Sequence, residues 1–451
     1  MALLLFFSLR LGPPPSVTLE LDQAGIGQRP LMLGVQVVEP RRGLGRITVE
    51  AIQGDRVTQL ADHHHQPAPA WAFWRQRVAE DRWSLAVGRD TVPGLSAGQV
   101  TLRVSAQRAG TWFSSGAPVV VQRRLPVRFE PPGLAVRSSP NRVSQGGAGL
   151  VVYRLAGGAL DGGAVDSAAV DGVMVGEHFF PGHALPAGVS DPGLRFALFA
   201  IPFDLNDRDL VRLVAVDALG NRAETAFLDA FKQRPPARDT IRLNDAFFEA
   251  TVPEILDRTP SIEPGETLLA SFLAINGTLR RENDHTLEAL AASSRAAMLW
   301  SGAFRQLPGS QVMSSFADRR TYVYRGRTVD HQDHLGYDLA SVRRAMVPAA
   351  NRGVVVLARY LGIYGNTVVL DHGFGLMTLY SHLSSIAVGV GQEVAQDTPL
   401  GRTGKTGLAA GDHLHFTTLI GGVAVDPLEW LDGRWIASHI TAKLDAAIAT
   451  R

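Results

Sequence analysis

The 451-residue chain contains no cysteine. Disulfide bonds and thiolate metal ligands are therefore excluded, and any zinc site must use imidazole and carboxylate groups. Neither charge sign dominates: 44 Lys and Arg face 43 Asp and Glu, which argues against nucleic acid as a partner. No apolar run is long enough to span a membrane as a helix. The length predicts two to four domains.

The N-terminus carries a short apolar run, residues 1–9, followed by Arg10 and a proline-rich stretch to Pro15. The run is hydrophobic enough for the core of a secretory signal, but it lacks a basic start. We interpret residues 1–15 as a degenerate signal peptide, with a buried first strand as an equal alternative. A signal would place the protein in the cell envelope, either periplasmic or extracellular, and would allow membrane attachment through the N-terminus.

Alternating apolar and polar residues dominate the first half of the chain. Strand-like segments separated by Gly- or Pro-rich turns fill residues 16–132 and predict a β-sandwich domain. The same alternating pattern continues over residues 133–232 and predicts a second sandwich. There the turn Asp217–Asn221, set between two strands, resembles bacterial immunoglobulin-like modules.

Three consecutive histidines, His63, His64 and His65, lie within the first predicted sandwich. Adjacent histidines in a loop cannot all face one ion. We therefore interpret them as a solvated loop, with a metal site as the less favoured alternative.

Helical spacing replaces the strand pattern over residues 237–303. A short helix is predicted over 246–252, ended near Pro253, and a second from about Leu268 to Leu279. A third helix is predicted from about Leu287, and a further one over residues 437–451. We favour a packing spacer over a regulatory lid as the role of the segment 237–303.

Six of the 13 histidines lie between residues 331 and 426. His334 and Asp338 are four positions apart, and Gly336 between them favours a loop that runs into a strand at 338–340. His413 and His415 precede an apolar run ending in Gly421-Gly422, so a hairpin is predicted. On that strand both imidazoles share one face because side chains alternate.

A catalytic zinc takes three protein ligands and leaves one position for water. His334, Asp338 and one of His413 and His415 supply such a set. His382 and the other histidine of the pair are then available to handle protons. The alternative is that these are unrelated surface or core histidines, which the joint occurrence of all five residues makes the weaker interpretation.

At these residues the sequence resembles the lysostaphin-type (LytM-like) zinc endopeptidases. Their His-x-x-x-Asp motif matches His334/Asp338, their Tyr-x-His-Leu motif contains His382, and their final His-x-His is His413/His415. The resemblance covers about residues 330–430 and implies that residues 304–436 form an antiparallel β-sheet zinc peptidase domain that cuts peptide cross-links in peptidoglycan. Together with the two predicted sandwiches and the short helical segment, this domain makes the chain mainly β and multidomain.

By the same resemblance, zinc is bound by His334, Asp338 and His415, and His382 and His413 form the catalytic pair. Thr417 stands where the family usually has Glu; that position is not a ligand, so we expect catalysis to be unaffected. The long loop Leu408–Asp412 is expected to influence substrate preference.

Two further stretches carry weaker signals. The basic, aromatic segment 316–325 could hold a stem-peptide carboxylate through Arg319 or Arg320, or it could be an edge strand with solvated arginines. The stretch Gly401–Thr406 imitates a phosphate-binding loop, but Pro399 occupies the position of its first glycine, so no nucleotide is expected.

Two other classes of function stay open at this point. The first is a catalytically silent protein of the same fold that binds peptidoglycan or activates another hydrolase. The second is a structural surface protein built on the sandwiches. The sequence predicts no oligomeric state.

Overall fold

The computed structural model describes residues 14–65, 77–110, 117–156, 170–185, 191, 193–235 and 237–449. Residues 1–13 of the predicted signal segment therefore lie outside the described residues. The chain divides into two compact units. The first comprises residues up to Gly133 with stretches at 156–170 and 215–223, and the second comprises the rest. Among the described residues no helix is both long enough and apolar enough to cross a membrane.

The first unit is an antiparallel β-sandwich. Its strands are β1 (Ser16–Leu21), β2 (Leu31–Val38), β3 (Leu44–Gln53), β4 (Arg56–His64), β5 (Glu80–Val87), β6 (Gly98–Arg108) and β7 (Val119–Val127). One sheet has the order β1-β2-β5 and the other β4-β3-β6-β7. Alternate apolar residues of both sheets, among them Leu33, Val35, Ile47 and Val49, are buried in one shared core. The sandwich predicted from the alternating pattern is confirmed.

The loop interpretation of the histidine triplet is wrong. His63 and His64 belong to β4, where they pair with Ile47 and Arg46 of β3, and the His65 backbone N–H donates to the Gly45 carbonyl at 2.7 Å. The polar residues of β4 hide the strand pattern in the sequence, whereas pairing with the buried strand β3 imposes it. His63 and His65 therefore project to one side of the strand and His64 to the other.

A second sandwich lies mainly in the second unit. Its strands are β8 (Gly133–Val136), β9 (Arg142–Ser144), β10 (Ala148–Ala156), β11 (Val170–Val175), β12 (His178–Pro181), β13 (His183–Ala184), β14 (Leu194–Ala200), β15 (Val211–Val216), β16 (Arg222–Thr225) and β17 (Ala230–Lys232). The sheet orders are β13-β14-β10-β8 and β12-β11-β15-β16, and β17 pairs with β9. A 3₁₀ turn, Arg208–Leu210, leads into β15.

Helices follow the strand β18 (Arg238–Leu243). They are α1 (Asp245–Arg258), α2 (Leu268–Ala274) and α3 (Arg280–Ala292). The Asn244 side chain caps α1 by accepting from the Phe247 N–H at 2.8 Å. Helix α1 continues through Pro253, so the predicted end there is wrong: burial of Val252 and Ile255 outweighs the backbone hydrogen bond that proline cannot donate. Helices α2 and α3 are joined by the π-helical turn Ile275–Leu279 rather than separated.

The remaining strands build the C-terminal sheets. They are β19 (Gln311–Ser314), β20 (Asp318–Tyr324), β21 (Arg327–His334), β22 (Tyr337–Ala340), β23 (Met346–Pro348), β24 (Gly353–Tyr360), β25 (Asn366–Gly373), β26 (Leu376–Ser381), β27 (Ser385–Ile386), β28 (Glu393–Val394), β29 (Pro399–Arg402), β30 (Leu414–Ile420) and β31 (Val423–Val425). The main sheet has the order β19-β22-β30-β26-β25-β24-β28, with β31 paired to β30. The smaller sheets are β18-β20-β21 and β23-β29-β27.

Two predictions are decided by this topology. The hairpin β30–β31 is confirmed, with Gly421 and Gly422 at positive φ in its turn. The edge-strand interpretation of 316–325 is wrong because β20 lies between β18 and β21.

Short helices follow the last strand. They are α4 (Pro427–Leu431), α5 (Gly433–Ile436) and α6 (Ala442–Ala449), with a π-helical turn (Ala437–Thr441) between α5 and α6.

One hydrophobic core runs through the second unit, from the sandwich to the main C-terminal sheet. It includes Val152 and Phe196 of the sandwich together with Leu376 and Ile420 of β26 and β30. The Phe196 ring packs edge-on against Phe374, with centroids 5.0 Å apart. The sandwich and the C-terminal sheet therefore share one continuous hydrophobic core.

Candidate active site

Antiparallel pairing brings the predicted metal ligands together. Strands β22 and β30 are neighbours in the main sheet, and their register places Asp338 directly opposite His415. His334 ends β21, and the short connection through Gly336 returns the chain into β22. Asp338 Oδ1 lies 3.0 Å from His334 Nε2 and 2.9 Å from His415 Nδ1, and these two nitrogens are 3.1 Å apart. Three donor atoms thus converge on one point.

Hydrogen bonds on the far side of each imidazole decide which nitrogen faces that point. His334 Nδ1 lies 2.9 Å from the Ser315 carbonyl, to which it donates its proton, so Nε2 carries the lone pair. His415 Nε2 lies 3.0 Å from Thr417 Oγ1, whose own proton goes to the Leu335 carbonyl at 3.0 Å. His415 therefore keeps its proton on Nε2 and turns the lone pair of Nδ1 toward Asp338.

Charge at the site is concentrated on Asp338. Burial raises the pKa of this carboxyl, but the adjacent imidazoles of His334, His413 and His415 outweigh burial and hold the pKa well below its usual range. The other carboxylate oxygen, Oδ2, accepts from Arg320 Nη2 at 2.8 Å. Burial lowers the pKa of His415 to about 4, so its imidazole is neutral near pH 7, which is the form that binds metals.

His382 and His413 lie beside this group, with ring centroids 4.8 Å apart. His382 follows β26 with φ of 60°, a backbone conformation that is rare outside glycine and is held here by surrounding structure. Its Nδ1 donates to the Thr406 carbonyl at 2.8 Å, and His413 Nδ1 donates to the Gly411 carbonyl at 2.9 Å. Each neutral imidazole thereby has a lone pair on Nε2, and Nε2 of His413 lies 3.4 Å from Asp338 Oδ1.

The two histidines have different electrostatic surroundings. Burial lowers the pKa of His382 well below its ordinary value, and the neighbouring His413 and His415 lower it further. Burial also lowers the pKa of His413, but the Asp338 carboxylate, which can accept from Nε2 of the protonated imidazole, outweighs burial and leaves the pKa raised. The structure thus brings all five predicted site residues into one cluster.

Position 336 requires glycine because the side chains of His415 and Thr417 come too close to leave room for a Cβ. Its backbone angle does not by itself require glycine. A Cβ placed on it would lie 2.7 Å from His415 Nε2 and 2.6 Å from Thr417 Oγ1. Both distances are shorter than van der Waals contact permits, so any side chain at 336 would displace the imidazole or the hydroxyl that orients it.

The cluster opens into a cleft of about 430 Å³. Its walls are formed by the helical segment, β20, the 3₁₀ turn Gly362–Tyr364 and the loop Leu408–Asp412; the lining side chains include Phe247, Arg280, Tyr322, Tyr364 and Leu408. The helical segment, which the sequence presents as a spacer, therefore also contributes surface to the cleft. The long loop 408–412 lies where it can contact a bound substrate.

The donor set fits a zinc ion. Two imidazole nitrogens and one carboxylate oxygen are all within 4.8 Å of one another, and hydrogen bonding directs the lone pairs of both nitrogens toward the shared point. This His₂Asp combination is one that zinc accepts when a further position is kept for water or substrate.

The roles of several residues around the site do not follow from the sequence. Thr417 stands two positions after His415 on the same face of β30, so strand alternation was a usable signal for it. Arg320 was expected to bind substrate or to be solvated, yet its side chain is 17% exposed and bound to Asp338. Arg319 is the solvated neighbour, with its side chain 55% exposed and 3.7 Å from Asp333. Nothing in the sequence indicates that the Ser315 carbonyl accepts a hydrogen bond from His334.

The family model and the two curated relatives described here match the C-terminal part of this chain. The model of peptidase family M23 matches residues 332–427. Peptidoglycan DD-endopeptidase ShyA of Vibrio cholerae is 35% identical over 130 residues, which is 28% of this chain and 30% of ShyA. DD-carboxypeptidase/endopeptidase Mpg of Neisseria meningitidis is 37% identical over 95 residues, 21% of this chain and 22% of Mpg.

The catalytic domain of lysostaphin from Staphylococcus simulans, an antimicrobial peptidase, is 25% identical in a structural match with a TM-score of 0.26. That match covers 29% of this chain and 98% of the lysostaphin domain. The similarity to the two curated relatives spans less than a third of their length. The match to the family model identifies residues 332–427 as a peptidase family M23 domain.

Proposed function

We propose that this protein is a zinc-dependent endopeptidase that hydrolyses peptide cross-links in bacterial peptidoglycan. The observation that carries the proposal is the convergence of His334 Nε2, Asp338 Oδ1 and His415 Nδ1 within 3.1 Å of one another, in a cleft that also holds His382 and His413. ShyA is named as a peptidoglycan DD-endopeptidase and Mpg as a DD-carboxypeptidase/endopeptidase. We therefore expect the D,D cross-link to be the bond that is cut.

His334, Asp338 and His415 would hold the metal. A bound zinc ion supplies Lewis acidity, which polarises the scissile carbonyl and acidifies the attacking water. Arg320 neutralises Asp338 Oδ2 and so leaves Oδ1 as the oxygen directed toward the two imidazoles. The Ser315 carbonyl and Thr417 hydroxyl fix the tautomers of His334 and His415.

His382 and His413 would move the protons. Because each donates from Nδ1 to a backbone carbonyl, each neutral imidazole offers the lone pair of Nε2 to the cleft. One of the pair takes the proton of the attacking water, and a protonated imidazole then gives a proton to the leaving amine. A protonated Nε2 also donates a hydrogen bond to the developing oxyanion.

The substrate determines where such an enzyme works. Peptidoglycan lies outside the cytoplasm, so we propose a cell-envelope location, reached by means of the apolar segment at the N-terminus. Fractionation of cells that express the natural reading frame tests the location. Recovery of the protein only in the cytosol contradicts it.

Digestion of purified sacculi tests the activity. We expect the zinc-loaded protein to release fragments whose masses correspond to cleaved peptide cross-links, and His413→Ala to release none. His285→Ala is a matched control because that imidazole is 78% exposed on the helical segment, and it should behave as the unaltered protein.

A catalytically silent binding protein gives a different result in the same experiment. It would sediment with sacculi and contain zinc, but would release no fragment. That outcome overturns the enzymatic proposal. A structural surface protein would not require the five clustered residues for either binding or cleavage.

A further inference from the structure

A second group of metal-ligand residues lies in the first unit, remote in sequence from the M23 domain. Asp81 Oδ2 is 2.9 Å from His63 Nδ1 and 2.9 Å from His65 Nε2. His63 and His65 project from the same side of the β4 end, and Asp81 lies on β5. Strands β4 and β5 belong to different sheets of the sandwich, so the three side chains meet across the gap between the sheets.

The geometry repeats that of the candidate active site. In both places one carboxylate oxygen lies 2.9–3.0 Å from two imidazole nitrogens. Within the described part of the chain, two groups of three side chains offer donor atoms all within 4.8 Å of one another: His334, Asp338 and His415, and His63, His65 and Asp81. The second group uses the same donor chemistry as the first.

We propose that His63, His65 and Asp81 form a second zinc site. Two imidazoles and a carboxylate are ligands that zinc accepts in tetrahedral coordination, and a water molecule can complete the set. The side chains are accessible enough for an ion to enter: 36% of His63, 17% of His65 and 18% of Asp81 is exposed.

The His63 ring is held in place by packing. It lies against Trp83, with ring centroids 4.1 Å apart and the planes inclined by 33°. Trp83 and Asp81 are two residues apart on β5 and therefore face the same way, so one strand supplies both the carboxylate and the support for the imidazole. Such prepositioning reduces the side-chain entropy lost when an ion binds.

The position of the site defines its role. An ion bound to β4 and β5 links the two sheets of the sandwich, and a chain without cysteine has no disulfide for that purpose. A metal that binds the folded state stabilises it in proportion to its occupancy. The inferred role is therefore structural and independent of the hydrolytic site.

Metal analysis of the full-length protein after saturation with zinc and removal of excess ion tests the site. We expect two zinc ions per chain in the unaltered protein, one in His415→Ala, one in the double variant His63→Ala/His65→Ala, and none when all three changes are combined. His64→Ala is the matched control: its imidazole is 67% exposed and points away from Asp81, so two ions should be retained.

Thermal unfolding supplies a second measurement in the His415→Ala background, where the hydrolytic site is empty. Added zinc should raise the melting temperature of that protein, and the rise should vanish when Asp81→Asn is introduced. Circular dichroism reports whether each variant is folded. Should the double histidine variant fail to fold, Asp81→Asn provides the metal count, with one zinc ion fewer than its parent.

Two results would overturn the site. One is a single zinc ion in the unaltered protein that is lost in His415→Ala alone. The other is full zinc content in folded Asp81→Asn or in the double histidine variant. In either case the three side chains form only a hydrogen-bonded cluster. If instead His415→Ala lost no zinc while the first-unit variants did, the proposed hydrolytic site would fail and this one would stand.

Discussion

Thr417 Oγ1 accepts a hydrogen bond from His415 Nε2 at 3.0 Å while it donates its own proton to the Leu335 carbonyl at 3.0 Å. A hydroxyl has a single proton, so the bond to Leu335 leaves Thr417 able only to accept from His415. The tautomer of the proposed ligand is therefore set by a residue two positions along the same strand. Loss of such an orienting group typically weakens metal binding by ~10–100-fold.

Thr417→Val removes the hydroxyl and keeps the shape of the side chain. We expect it to weaken zinc affinity by about 10–100-fold, as measured by competition with a chelating dye. Thr417→Ser retains the hydroxyl and should bind zinc almost as tightly as the unaltered protein. Equal affinities for the Val and Ser variants would show that Thr417 does not orient His415.

Gly336→Ala places a methyl group against the His415 ring, 2.7 Å from Nε2. The ring must move, so we expect lower zinc content and loss of most hydrolytic activity. Gly389→Ala is the control because a Cβ there meets nothing within 4 Å. Both variants should be examined for folding by circular dichroism. A Gly336→Ala protein with unchanged zinc affinity and activity would contradict the close approach seen here.

His382→Ala and His413→Ala should keep the metal and lose turnover. Proton transfer or oxyanion stabilisation by one such group contributes ~10²–10⁴ in rate. Zinc content and hydrolysis of a cross-linked muropeptide, measured on the same preparations, separate binding from catalysis. The assignment fails if either variant hydrolyses at a near-normal rate, or if His413→Ala is the variant that loses its zinc.

Glu429 predicts a pH dependence of stability. Burial raises its pKa to about 8, although the Ala148 N–H donates to the carboxylate at 2.7 Å and opposes the rise. The folded state therefore holds an extra proton between the unfolded pKa, near 4.3, and about pH 8. The stability associated with this proton is fully present below the unfolded pKa and is lost as pH rises through the folded pKa.

Glu429→Gln removes this titration and keeps an acceptor for Ala148. The variant should gain stability relative to the unaltered protein as pH rises from 5 toward 8.5, by on the order of a few kcal/mol. Urea unfolding at both pH values measures the difference. The exposed Glu263, changed to Gln, is the control and should show no such gain. A constant difference between the Glu429→Gln and unaltered proteins at the two pH values would refute the assignment.

Much of the site could be predicted because the motif residues lie on or next to strands, along which side chains alternate regularly between the two faces. His413 and His415 share a face by alternation, and Gly336 marks the short connection between the strand that ends at His334 and the strand that carries Asp338. The register that places Asp338 opposite His415 depends on strands 77 residues apart, which no local pattern encodes. The same limit hid the pairing of Arg320 with Asp338.

Local patterns failed where tertiary packing outweighed them. Pro253 lies within α1 because the apolar face of that helix is buried, and the helix therefore continues beyond the position where propensity alone would end it. The sequence predicts a loop at His63 and His64 because their strand is polar, whereas the pairing of β4 with the buried strand β3 determines its conformation. Both errors concern elements whose conformation is set by their neighbours in space.

The hydrophobic core shared by the second sandwich and the main C-terminal sheet limits how this architecture can change by recombination. A gene fragment encoding only residues 332–427 would uncover apolar groups such as Ile420 and Phe374, which the sandwich residue Phe196 and its neighbours now cover. Sandwich and peptidase sheet must therefore be exchanged together, so the transferable unit of this protein is larger than the stretch that carries its catalytic motifs.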